Sequence, residues 1–243
     1  MPIANPSFGS KPSFALPRIL QPERYLRASR RWIGRFITSR ASINAYLQSH
    51  EVKKLHIGGG RNTLSGWLNT DLGPASSEII YMDATKRYPF DDNVFDYVYS
   101  EHMIEHIPYA AARQMLRECY RVLKPGGKIR LATPDLVVLL DLYKKDRTSL
   151  QNDYLAWATK SFTPEADQVD PVFVINNFVR DWGHQFIYDE ETLRRAMNLE
   201  GFTDITRGKI STSEDAALVG LEHVDRMPDG FLDLETMILE AKK

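Results

Sequence analysis

The sequence predicts an α/β domain on a largely parallel sheet with helices on both faces. Short apolar strand signals alternate with helical patterns from residue 53 onward. The stretch "HIGGGRNTLSGWLNTDL" (56–72) sets three glycines directly after one strand signal and an acid at the end of the next. The 243 residues, 43% hydrophobic and 26% charged, suit one large domain with decoration, or at most two small ones.

Residues 1–22 contain Pro2, Pro6, Pro12, Pro17 and Pro22 and read as an extended or disordered lead-in. Residues 23–48 space Tyr25, Leu26, Trp32, Ile33, Phe36, Ile37, Ile43 and Leu47 as one helical face, with arginines on the other. This basic amphipathic helix could cap the domain, or dock on an anionic membrane surface or a partner. The main domain spans 49–243.

Strands are expected at 53–57, within 66–72, at 78–83 and at 94–100. Residues 110–123 form an amphipathic helix with Ala112, Met115, Leu116, Cys119 and Leu123 on one face. Lys124-Pro125-Gly126-Gly127 stops it, and 128–134 is a fifth strand. A helix-like run reaches about Lys145, and an irregular polar and aromatic insertion fills about 146–187. Residues 188–202 form a helix with Asp189 as N-cap and Gly201 as terminator. The last strands fall at 203–210 and 234–241.

The net charge of −1 gives no general drive toward nucleic acid, and no nucleic-acid partner is expected. Residues 1–40 carry eight basic residues and one acid, so the body is net acidic. The single cysteine, Cys119, excludes an internal disulfide and reads as a buried core thiol. A reducing, cytoplasmic compartment is consistent with this, with membrane association an option through residues 23–48. No apolar run approaches the roughly 18 residues of a membrane span, and no signal peptide is expected. The oligomeric state is open.

Ligands of open parallel sheets sit beyond the carboxyl ends of the strands. Gly58, Gly59 and Gly60 lie there, where a missing Cβ lets backbone approach a ligand closely. Asp71, with Leu72 beside it, ends the next strand, and its carboxylate can accept both hydroxyls of a ribose. The spacing argues against a dinucleotide. Thr63 stands where a third glycine belongs, and the acid comes 13 residues after Gly58 rather than about 20. Residues 61–66 also leave little helix N-terminus for a diphosphate. A nucleoside-like ligand without phosphate fits better. Asp83, after the third strand, can accept an exocyclic amino hydrogen from adenine.

The ordered set "HIGGG…GWLNTDL", "YMDATKRYPF", "PFDDNVFDYVYSEHMIEHI" and "LKPGGKIRLATPD" resembles class I S-adenosylmethionine-dependent methyltransferases of the type 11 branch. The resemblance covers about 53–210, and "GHQFIYDEETLRRAMNLEGF" resembles that branch's ending. The pattern "GGG…GWLNTDL", "TPDL" and the terminal "MILEAKK" is similar to methyltransferases of bacterial polysaccharide biosynthesis. The resemblance implies a single Rossmann-like domain, a doubly wound, mostly parallel seven-stranded sheet in order 3-2-1-4-5-7-6, and S-adenosylmethionine as cofactor. It implies that Gly58 and Gly60 pass under the methionine part, that Asp71 holds the ribose, and that Asp83 and Ala84 flank the adenine. Ser100 and Glu101 would lie near the methionine. The sequence departs from the pattern at His56, where an acid is usual, and in the curtailed helix after the glycines.

A hydroxyl acceptor needs a base. His184, in "RDWGHQF", is the first candidate, its ordinary pKa near 6.5 suiting the task. It could equally be a structural histidine. Asp135 and Asp181 are alternates for orienting the acceptor, or helix caps. His102, Glu105 and His106 have the spacing H-x-x-E-H, and with His184 offer four potential metal ligands. Their placement resembles divalent-metal sites of ubiquinone-type and small-RNA methyltransferases. Packing around the cofactor is the alternative, and no metal is expected. The expected acceptor is a sugar or glycan-precursor hydroxyl. A quinone-like or other small molecule is the second reading, and the aromatic residues Tyr143, Tyr154, Trp157, Phe162, Phe173 and Phe178 suit either. A catalytically silent scaffold for a glycan-synthesis complex is the third.

Overall fold

Seven strands form one sheet: β1 (Lys54–Ile57), β2 (Leu68–Asp71), β3 (Ile80–Tyr81), β4 (Phe95–Glu101), β5 (Leu123–Pro134), β6 (Thr203–Gly208) and β7 (Thr236–Lys242). This computed structural model describes residues 40–243. The lead-in over 1–22, and the basic helix up to residue 39, lie outside the described residues. The strand order is β3-β2-β1-β4-β5-β7-β6. All neighbours are parallel except β5–β7 and β6–β7, so the chain closes on a reversed hairpin. This is the order that the resemblance implied.

The helices are α1 (residues 40–49), α2 (Tyr109–Val122), α3 (Leu136–Asp141), α4 (Ser149–Phe162), α5 (Pro171–Arg180), α6 (Glu190–Leu199) and α7 (Phe231–Glu235). Strand side chains alternate between two faces. On one face Leu55, Ile57, Val98, Ile129 and Leu131 pack with Met115, Leu116 and Cys119 of α2 and Leu193, Ala196 and Met197 of α6. Ile43 of α1 joins this core, and the Tyr46 hydroxyl donates to the Lys54 carbonyl, so the end of α1 is fastened beside β1. Cys119 is fully buried, and burial pushes its thiol up to about 12.

On the other face Tyr99 packs with Trp67, Leu218 and Leu221. The β6–β7 connection closes this side around Arg130. The buried guanidinium donates to Glu222, to Glu240 and to the carbonyls of Lys209 and Thr212. No α-helix connects β1 to β2 or β2 to β3, so both crossings are made by loops.

The expected insertion is more regular than its sequence pattern. It contains α4, opened by a Thr148–Gln151 capping box, and α5, capped by Asp170 with Pro171 at its start. These helices share a second apolar cluster with α3 and α7 through Leu139, Leu142, Tyr154, Leu155, Phe178 and Phe231. Two boundaries also differ. The Lys124–Gly127 stretch ends α2 at Val122 but is itself part of β5, which begins at Leu123. Residues 231–235, partly assigned to the last strand, form α7, and β7 starts only at Thr236. Among the described residues, no helix is long and apolar enough to cross a membrane.

Candidate active site

The strand order turns between β1 and β4: β1 runs on to β2 on one side and pairs with β4 on the other. Such a switch point opens a crevice at the carboxyl ends of the strands. Ile57 and Ser100 are register partners there, so the glycines and the β4 end flank one opening.

Gly58 has φ +70°, and a Cβ on it would lie 2.3 Å from Met103 Cγ. Gly59 is packed the same way: a Cβ there would lie 2.6 Å from the His56 ring. Gly60 has φ +58° with nothing within 4 Å of the Cβ position, so its backbone faces open space. The glycines therefore serve different needs, two for close packing and one for an uncovered surface. Asp71 ties the turn down. Its Oδ2 accepts from Gly60 N at 2.9 Å and its Oδ1 from Gly73 N at 2.6 Å. A carboxylate has about four acceptor sites, so each oxygen retains a lone pair for a ligand. Leu72 is 63% exposed, an uncovered apolar side chain beside that carboxylate. Asp83 Oδ1 accepts from the amide and hydroxyl of Thr85, leaving Oδ2 available, and Ala84 packs against the main core.

His56 fills the place of the usual acid with a structural pairing. It is buried, its Nδ1 is 3.0 Å from Asn69 Oδ1, and its ring stacks on Tyr99. Burial holds its pKa below the ordinary histidine value, so it is neutral support beneath Gly59. Ser100 is buried and its Oγ has no hydrogen-bond partner, an unused polar atom at the crevice. Glu101 accepts from the amide of His223 and holds the β6–β7 connection at the β4 end.

Beyond β4 the chain forms a tight turn, Ile104–His106. Glu105 is wholly buried, and Thr133 Oγ1 donates to its Oε2 at 3.0 Å. Burial opposes its charge, but His102 beside it holds the carboxyl below the usual glutamate range. The loop after α5 docks on this turn: Gln185 N and Phe186 N both donate to the Glu105 carbonyl, and Gln185 Nε2 donates to the His106 carbonyl. His184 is thereby held against His106, ring centroids 4.7 Å apart. Its Nδ1 is 2.6 Å from the Phe178 carbonyl, which can only accept, so Nδ1 carries the proton and Nε2 keeps a lone pair. Burial lowers its pKa. Trp182, 46% exposed and at φ +56°, stands beside it and packs edge-on against Phe162.

Of the four potential metal ligands, the structure brings Glu105, His106 and His184 together, one ligand atom from each lying within 4.8 Å of the others. His102 is turned elsewhere. Arg226 Nη2 donates to its Nε2, Thr236 Oγ1 is 3.0 Å from the same nitrogen, and Nδ1 faces Glu105 at 3.2 Å. Asp135 is also committed: Oδ1 caps α3 through Val137 N, and Oδ2 pairs with Arg207 at 2.8 Å. Asp181 is exposed at the end of α5, accepts from Asn177, and lines an open hollow with Thr163, Asn176 and Arg180.

Several site residues carried no sequence signal. Met103 covers Gly58, Asn69 pairs with His56, and Arg226 reaches His102 across 124 positions. Tyr154 donates to Glu235 at 2.6 Å, and Glu235 in turn pairs with Arg226 at 3.5 Å. A polar chain thus runs from α4 to the β4 turn.

Residues 62–131 match the family described as "Methyltransferase domain". A curated relative, phosphoethanolamine N-methyltransferase 2 of Caenorhabditis elegans, is 48% identical over 42 residues, which is 17% of this chain and 9% of that protein. Among solved structures, an S-adenosylmethionine-dependent methyltransferase of Thermotoga maritima is 18% identical, covering 91% of this chain and 97% of its own, at a TM-score of 0.46. An S-adenosylmethionine-dependent methyltransferase of Archaeoglobus fulgidus is 15% identical, covering 86% and 93%, at a TM-score of 0.47. The sheet order is the one that the resemblance implied, and residues 62–131, less than a third of the chain, are similar to the methyltransferase-domain family.

Proposed function

We propose that the protein O-methylates a hydroxyl of a sugar or glycan precursor, with His184 as proton acceptor. The observation that carries this reading is the His184 tautomer: Nδ1 is spent on the Phe178 carbonyl, and the Nε2 lone pair is free beside the β4 turn. A neutral amine is already nucleophilic, whereas a hydroxyl gains from a nearby base. The match to a phosphoethanolamine N-methyltransferase spans only 42 residues and 9% of that protein, too little to carry its acceptor over to this chain.

The crevice suits the cofactor on its own geometry. Gly60 offers uncovered backbone, Asp71 and Asp83 retain acceptor oxygens, Leu72 offers an apolar surface, and Ser100 Oγ lacks a partner. S-adenosylmethionine supplies a methyl group already activated on a sulfonium. Gly58–Gly60 take its methionine end, with Ser100 and Glu101 opposite. Asp71 takes the ribose hydroxyls, and Asp83 and Ala84 border the adenine. His184 removes the acceptor proton, while Trp182 and Phe162 give an aromatic wall for one face of the acceptor. Alignment of the hydroxyl and exclusion of water then do most of the remaining work. Asp135, with both oxygens engaged, serves as an anchor for α3 and Arg207.

Calorimetric titration with S-adenosylhomocysteine, with NAD in parallel, tests the donor half. Micromolar binding of the former, no binding of NAD, and at least tenfold weakening in Asp71→Ala are expected. The acceptor half is tested with methyl glycosides and hydroquinones as methyl acceptors. Methylation of the glycosides, lost in His184→Ala with homocysteine-nucleoside affinity kept, is the expected result. Methylation of hydroquinones alone would sink the sugar reading.

A further inference from the structure

We propose that the hollow between the end of α4 and the outer face of α5 is a second sugar subsite, so that the acceptor is a neutral saccharide at least two residues long. The hollow has a volume of about 490 Å³ and is lined by Thr163 and Glu165 beyond α4 and by Phe173, Asn176, Arg180 and Asp181 on the α5 side. That volume is in the range of small-molecule sites. Positions 173, 176, 177 and 180 are spaced i, i+3, i+4, i+7, so a single stripe of α5 faces the hollow. Val174 and Phe178 bury the other side of the helix.

The lining matches a pyranose, which has an apolar C–H face and a rim of hydroxyls that both donate and accept. Phe173 offers a ring for the face, and planar amide, carboxylate and guanidinium groups suit neighbouring hydroxyls. These groups are partly fixed in advance. Asn177 is 7% exposed, and its Nδ2 donates to Asp181 Oδ2 at 2.8 Å, which orients the carboxylate and leaves Oδ1 to accept. Asn176 Nδ2 donates to the Val172 carbonyl at 2.9 Å, leaving its Oδ1 to accept. Arg180 supplies donors only. Glu165 and Asp181 against one guanidinium make the hollow net negative, which disfavours a phosphorylated or uronic-acid unit and favours a neutral one.

The independent observation is where the hollow leads. A four-residue turn joins its Asp181 to His184, closed by His184 N donating to the Asp181 carbonyl at 3.1 Å. Between them Trp182 and Gly183 lie at φ +56° and +78°. This conformation is costly for a bulky side chain, and such strain collects where a side chain must hold one position for a ligand. It sets the Trp182 ring edge-on to Phe162 at 4.9 Å and beside His184 at 5.5 Å, with 46% of the residue exposed. Phe162 adjoins Thr163 in the chain, and Trp182 adjoins Asp181, so the aromatic platform runs on into the hollow. A sugar at His184 stacks on Trp182, and the next unit of the chain enters the hollow. That the occupant belongs to the methyl acceptor rests on the sugar-hydroxyl reading; saccharide binding in the hollow does not.

The test uses the full chain saturated with S-adenosylhomocysteine. Methyl maltoside, cellobioside and lactoside are compared with methyl glucoside and galactoside by calorimetry and ligand-observed NMR. One or more disaccharides should bind about tenfold tighter than the matching monosaccharide, the worth of one or two net hydrogen bonds. The gap should close when Asn176→Ala and Arg180→Ala are combined, both side chains being exposed. It should persist in Asp153→Ala, an exposed α4 position outside the hollow. Equal affinity for mono- and disaccharides across the set, or a gap that survives the double substitution, overturns the proposal. Methyl transfer from S-adenosylmethionine is measured in parallel on the same saccharides and on hydroquinones. Methylation of monosaccharides with no disaccharide preference removes the subsite and leaves the sugar reading standing. Disaccharide binding that depends on Asn176 and Arg180, with hydroquinones alone methylated, removes the sugar reading and leaves the hollow a saccharide site.

Discussion

Gly58 and Gly60 show how neighbouring identical residues do different work. Gly58 is closed over by Met103, while Gly60 has a left-handed backbone and open space around the Cβ position. Gly60→Ala should therefore fold, at a cost of about 1–2 kcal/mol for the left-handed conformation. Its methyl would project into the crevice, so affinity for S-adenosylhomocysteine should fall at least tenfold. Unchanged affinity would remove Gly60 from the cofactor floor. His56 supports the same turn from below. Burial depresses its pKa, so as pH falls the unfolded chain takes up the proton first, near its ordinary value of about 6.5. Its contribution to stability is present above that pH and is lost as pH drops toward the folded-state value. His184, also depressed by burial, acts with the same sign. Urea midpoints should decline from pH 7.5 to pH 5, and His56→Gln should flatten that decline relative to the parent.

At the level of elements, the loop joining α5 to α6 determines where the candidate base sits. It has little regular structure, yet it is fixed by backbone N–H hydrogen bonds to the Glu105 carbonyl and by the aromatic contacts of Trp182 and Phe186. α6 follows with an N-cap readable in the sequence: Asp189 Oδ1 accepts from Thr192 N at 2.8 Å. Asp189→Ala should lower stability by about 1 kcal/mol, as cap removals do, measured by denaturant unfolding. Cofactor affinity should be unchanged, since α6 packs on the sheet and not on the glycine turn. At the other end of α6, a Cβ on Gly201 would come within 2.9 Å of the Tyr120 ring, so the terminator is also a packing requirement.

Across the whole molecule, Arg130 holds β5, β7 and the β6–β7 connection together. Its side chain is fully buried, and Glu222, equally buried, also accepts from Ser211 N. Removing one partner of such a pair strands the other charge away from water. Arg130→Ala should cost about 3–5 kcal/mol in chemical denaturation. Because Glu101 fastens the same connection at His223, loosening it should also weaken cofactor binding. A loss under 1 kcal/mol would mean that water enters and resolvates Glu222. The second apolar cluster, built by α3, α4, α5 and α7, stands apart from the main core.

The sequence by itself determined the parts whose physics is local. Strand and helix periodicity, the proline and glycine that stop α2, the Asp189 cap and the short glycine-to-acid spacing all act within a few residues. The sheet order and the cofactor were legible through the resemblance that those motifs carry. Tertiary structure decided whatever depends on residues far apart in the chain. Arg226 facing His102, Tyr154 facing Glu235 and the Phe178 carbonyl setting the His184 tautomer leave no local pattern. The H-x-x-E-H run illustrates the difference. Its spacing groups His102 with Glu105 and His106, yet His102 lies at φ +44° with Arg226 on its ring, and His184 takes its place. A side chain's chemistry is read from its identity, but its availability depends on which partners the fold brings to it.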